Sequence, residues 1–86
     1  MPWDHDNGLT TVTGVIIPAD WDPDGRITGV AISTHDEEEY LVRRRAKGKE
    51  LVRLLQKEVE VTGWAEVDQG KKALVVKDYR LRQRRV

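Results

Sequence analysis

Residues 49–67, KELVRLLQKEVEVTGWAEV, change hydrophobic period part-way through, and that change decides the fold. Leu51, Leu54 and Leu55 recur at helical spacing, which predicts a short helix of about two turns near residues 49–56. A helix of that length is unstable alone and must pack on something. From Glu58 the period drops to two. Val59, Val61, Gly63, Ala65 and Val67 alternate with Glu60, Thr62, Trp64 and Glu66, the pattern of a strand with one buried face. Asp68-Gln69-Gly70-Lys71 then reads as a hairpin turn, and residues 72–81, KALVVKDYRL, as the returning strand.

Upstream, residues 9–19, LTTVTGVIIPA, and residues 26–34, RITGVAIST, are rich in Val, Ile and Thr, which suit a pleated, half-buried surface. Gly14 sits mid-strand, where glycine marks a bulge or a sharp bend that lets one strand serve two sheets. Gly29 is central in the second strand, with Val30 and Ile32 beyond it. The acidic HDEEE, residues 35–39, reads as a turn before the short strand YLVRR, in which Tyr40 and Val42 share one face and Leu41 and Arg43 the other.

Three strands, a short helix and two strands, with a glycine-bent first strand, resemble the OB-fold, a five-stranded Greek-key barrel plugged at one end by a helix. The resemblance spans roughly residues 9–81, and residues 49–81 look like the second half of small bacterial OB domains. An SH3-like barrel is the rival, but it would not ordinarily need the LVRLL helix. The expected fold is all-β, an OB-like barrel with one short helix between strands 3 and 4. Residues 1–8 are expected to be a flexible N-terminus, 9–81 a single domain and 82–86 a basic tail.

At 86 residues the chain has room for one core, and Leu, Ile and Val make up about a quarter of it, enough to fold despite 35% charged residues. With no cysteine there are no disulfides, thiolate metal sites or thiol nucleophiles. MPWDHDNG has no signal-peptide pattern and no stretch is apolar enough to span a membrane, so a cytoplasmic protein without membrane contact is expected. The net charge of zero hides segregation, −8 over residues 1–39 against +8 over residues 40–86. The two halves either form separate patches or interleave and neutralise one another.

Asp20, Asp22, Asp24, Gly25 and Ile27 match the opening of a calcium loop, but Ala31 stands where the bidentate Glu belongs and Pro23 stiffens the segment. Pro-Asp-Gly between two hydrophobic runs is itself a turn signal, so a hairpin turn displaying Trp21 is expected, and no metal. His5 and His35 have no second histidine at ligand spacing. There is no phosphate loop and no nucleophile beside a base, which argues against an enzyme and for no cofactor.

The resemblance implies that the loop between the first two strands and the last hairpin grip a ligand. The expectation is therefore a small, monomeric, non-enzymatic binding module. Its first candidate ligand is single-stranded nucleic acid, held weakly by Trp21, Tyr40, Arg43, Trp64, Lys71 and Lys72 through stacking and phosphate contacts. The alternative is a protein-interaction module that uses the −8 and +8 segments as complementary patches; the purely structural reading of each tryptophan is that it caps an open end of the barrel core. Zero net charge, the absence of Phe, and Glu60 and Glu66 on the face of Trp64 weigh against phosphate binding.

Overall fold

The computed structural model describes residues 8–82. Strands β1 (Leu9–Trp21), β2 (Ile27–Thr34) and β3 (Glu39–Val42) precede a short helix (Ala46–Leu54), and β4 (Glu58–Asp68) and β5 (Lys71–Leu81) follow it. They close into a barrel in the order β1-β2-β3-β5-β4. All pairings are antiparallel except the brief parallel contact of β3 with β5, Leu41 opposite Ala73 and Val42 opposite Leu74. This is an all-β, five-stranded barrel with one short helix between β3 and β4, compatible with an OB-like architecture.

Closure depends on β1 serving two neighbours. Its first half, Leu9 to Val15, pairs with β4, and its second half, from Gly14 onward, pairs with β2. Gly14 lies where the partners overlap, and a Cβ there would collide with the Ser33 carbonyl oxygen. The bend expected from the sequence is therefore a point of close backbone approach.

Alternation puts Val12, Ile16, Val30, Ile32, Val42, Val59, Val61, Leu74 and Val76 inside the barrel, where they form one core with Leu51. Leu51 is completely buried, so the helix plugs the barrel. The helix differs from the expected one. It begins at Ala46 and is wound as a 3-10 helix rather than an α-helix. Three residues per turn stack Gly48, Leu51 and Leu54 on one face, with Gly48 and Leu51 buried and Leu54 against the core. A Leu51–Leu54 spacing fits either helix type, which is why periodicity alone did not separate them.

A second difference lies in β4. The inward alternation stops at Gly63, and Ala65 and Val67 are exposed, Val67 by 75%. The cause is that β1 pairs with β4 only as far as Trp64. Beyond it the β4–β5 hairpin runs past the barrel wall. Arg82 donates its backbone N–H to the Glu58 carbonyl oxygen (2.9 Å). The expectations for His5 and for the tail beyond Arg82 lie outside the described residues.

Candidate functional site

Register determines which side chains face outward. Across the barrel run Ile17, Ala31, Leu41, Ala73 and Glu66, each opposite the next on β1, β2, β3, β5 and β4. Long and short side chains alternate along this row, and the two alanines are 1% and 0% exposed. Alternation with the inward Val30, Ile32 and Leu74 turns both alanines to the outer side of the sheet, where their neighbours in the row cover them. Leu41 is thus the centre of a low apolar strip on the outer surface.

Charge borders the strip. Arg43, outward on the same side as Leu41, donates from Nε to Glu66 Oε1 (3.2 Å) and from Nη2 to Asp68 Oδ2 (2.9 Å). Arg45 reaches the other Glu66 oxygen (3.1 Å). These carboxylates hold the Arg43 guanidinium above its ordinary pKa, with Asp68 the larger contributor. On the other flank Asp20 lies over Gly29, where the missing Cβ makes room for it. A shallow depression of about 190 Å³, lined among others by Asp20, Gly29, Leu41, Arg43 and Arg44, continues from the strip.

The six expected ligand-binding residues do not form one surface. Tyr40 and Lys72 meet: the lysine Nζ lies 5.5 Å from the ring centroid and donates to Glu38 Oε1 (2.6 Å). Lys72 thereby lowers the pKa of Glu38, and Glu38 raises that of Lys72. Tyr40 itself faces inward and packs against the core. Lys71 is exposed at the hairpin tip beside Asp68. Trp64 points outward from β4, opposite Leu9 and Val75, and is 37% exposed. Trp21, 57% exposed, ends β1 opposite Ile27, whereas Trp64 lies opposite Leu9 at the other end of the same strand.

Residues 23–25 form a tight three-residue hairpin loop closed by Asp22 and Arg26. Asp22 N–H donates to the Arg26 carbonyl (2.8 Å) and Gly25 N–H to the Asp22 carbonyl (2.9 Å), with Gly25 at φ +87°. Asp22 Oδ1 accepts from the N–H groups of Asp24 and Arg26 (both 2.9 Å), so this carboxylate braces its own turn. His35 approaches Glu58 at 3.9 Å. Among the described residues no group of three or more His, Cys, Asp or Glu side chains is placed to hold a metal ion, and no helix is long and apolar enough to cross a membrane.

The Ile17–Glu66 row was missed in the sequence because its members are scattered over five strands and two of them are alanines. The outward positions of Leu41 and Arg43 were readable from alternation. Compared with protein-family models, with curated proteins and with solved structures, the chain shows no match.

Proposed function

We propose that the chain is an OB-type barrel acting as a non-enzymatic protein-interaction module, and that the partner meets the outer face of β2, β3 and β5 around Leu41. The observation that carries this reading is the composition of that face. An apolar centre (Ile17, Leu41) with small side chains between (Ala31, Ala73) is rimmed by residues of both signs: Asp20, Arg43 and Glu66. Apolar centre and polar rim are the anatomy of a protein interface.

The single-strand reading finds less support. Stacking needs aromatic side chains on the binding surface. The outward positions of β2 and β3 hold Gly29, Ala31, Ser33, Glu39 and Leu41, none of them aromatic. Of the bases expected to meet phosphates, Arg43 is held by Glu66 and Asp68 and Lys72 by Glu38. A phosphate would have to displace those carboxylates while lying beside them.

The test is a ¹⁵N–¹H titration with mixed-sequence single-stranded DNA at about 50 mM salt, where phosphate contacts are strongest. Protein binding as the main role predicts no saturable, localised shifts. Saturable shifts at the Trp64 indole together with the Lys71 and Lys72 amides would overturn it in favour of nucleic acid.

A further inference from the structure

The bases that follow β3 sort into two sets. Arg43, Arg45 and Lys47 turn toward β4 and β5, where Glu66, Asp68 and Asp78 hold them. Arg44 and Lys49 form no ion pair among the described residues, and both border a second depression, about 70 Å³, between the start of β2, the end of β3 and the helix. Besides these two cations and Thr28, its side-chain lining is aliphatic, with Ile27, Val42 and Val52 around Gly48. Gly48 is required there, since a Cβ would collide with the Arg43 carbonyl oxygen and come within 3.1 Å of Val42 Cγ1. The nearest carboxylate on the helix, Glu50, accepts the Tyr79 hydroxyl hydrogen bond (2.6 Å).

We propose that this depression docks an acidic peptide segment of the partner, which inserts one small aliphatic side chain among Ile27, Val42 and Val52 and places a carboxylate beside Arg44 and Lys49. The inference rests on the protein-interaction reading and extends it, because Arg44 also lines the depression that leads from the Leu41 strip. Charge complementarity identifies the occupant. Two cations without carboxylate partners stand at the mouth of an apolar recess that has room for one small side chain. A nucleotide would fill the charge requirement but would leave the recess empty. Asp20 lies over Gly29, which lines both depressions, so it repels an acid on that side and orients the segment with its carboxylate toward Lys49.

The probe is the capped peptide acetyl-Asp-Glu-Val-Glu-Asp-amide, titrated into the ¹⁵N-labelled protein at low salt. Expected are saturable shifts clustered at Arg44, Gly48, Lys49 and Val52, with a Kd of about 1 mM or tighter. Replacing the central Val of the probe by Gly weakens binding about tenfold or more, because the three carbons of its side chain are no longer buried. Arg44→Gln with Lys49→Gln weakens it about fivefold and leaves the rest of the spectrum in place, since exposed charge pairs contribute modestly. Lys71→Gln with Lys77→Gln, the same change in net charge elsewhere, leaves Kd within about twofold. The proposal is overturned by the absence of saturable shifts at about 5 mM peptide, by equal affinity for the Gly probe, or by equal weakening in the Lys71/Lys77 variant. It is overturned also by a single-stranded oligonucleotide that moves the same amides more tightly than the peptide. Failure here with a protein still contacting Leu41 would remove the peptide site and leave the broader reading standing.

Discussion

Glu37→Gly should stabilise the protein, and the barrel contains its own control. The loops at 22–26 and 34–38 are built alike. In the first, Asp22 N–H bonds the Arg26 carbonyl and Gly25 N–H the Asp22 carbonyl; in the second, Thr34 N–H bonds the Glu38 carbonyl (2.9 Å) and Glu37 N–H the Thr34 carbonyl (3.1 Å). Even the bracing side chain recurs, as Thr34 Oγ1 accepts from Glu38 N–H (3.2 Å). The left-handed position is Gly25 in one loop and Glu37, at φ +66°, in the other. A residue with a Cβ in that conformation costs about 1–2 kcal/mol. Glycine loses about 0.5–1 kcal/mol more backbone entropy on folding, so the central values leave a net gain of about 0.7 kcal/mol. In urea, with a slope of about 1 kcal/mol/M for a small domain, the midpoint should rise by about 0.5–1 M. Glu37 also sits in an acidic run, so relief of repulsion could mimic the effect. Glu37→Ala separates the two, because it removes the charge and keeps the Cβ. The strain argument requires Glu37→Gly to exceed Glu37→Ala at both low and high salt. Equal midpoints for the two variants would refute it.

Other expectations concern the plug, the hairpin and its ion pair. Leu51→Ala should cost about 2–5 kcal/mol in denaturant unfolding, since Leu51 is fully buried and is the helix residue that fills the barrel end. Gln69→Asn should stabilise by a few tenths of a kcal/mol, because Gln69 and Gly70 both have positive φ (53° and 81°) and Asn tolerates that geometry better in a two-residue turn. For the Glu38–Lys72 pair the signs run in opposite directions. Glu38 has a lowered pKa, so its contribution is present above the ordinary Glu value and fades as pH falls through the folded pKa. Lys72 has a raised pKa, so its contribution fades only as pH rises through its folded value. A carboxyl NMR titration should therefore find Glu38 below the usual range, and Lys72→Gln should return it there.

The fold was legible where periodicity is strong. The switch at residue 58, the mid-strand Gly14 and the Pro23-Asp24-Gly25 turn all specify local geometry through local chemistry, whereas the closed barrel was implied by the resemblance of the element order to the OB-fold. Two readings failed for nonlocal reasons. Ala65 and Val67 keep perfect alternation, yet only the length of β1 decides how far β4 is covered. The 3-10 helix carries Gly48 against the Arg43 carbonyl, a close approach invisible in a leucine spacing. The candidate site was less legible still. Composition singled out tryptophans and bases by type, whereas the structure neutralises Arg43 and Lys72, turns Tyr40 inward and separates Trp21 from Trp64. The segregated charge shows the same limit. Arg43 and Arg45 from the basic half meet acids of that same half, while Lys72 meets Glu38 of the acidic one.

The most direct measurement is site-specific photocrosslinking in the cells that make the protein, with a benzophenone side chain placed at Leu41 or, outside the Leu41 row, at Thr11. Thr11 is more exposed than Leu41 and faces Thr62 across the β1–β4 pairing, so it reports adducts that need only an accessible surface. The expected result is a discrete protein adduct from position 41 that is absent from position 11. Adducts of equal yield from both positions, a nucleic-acid adduct at 41, or none at 41 would contradict a protein-binding face centred on Leu41.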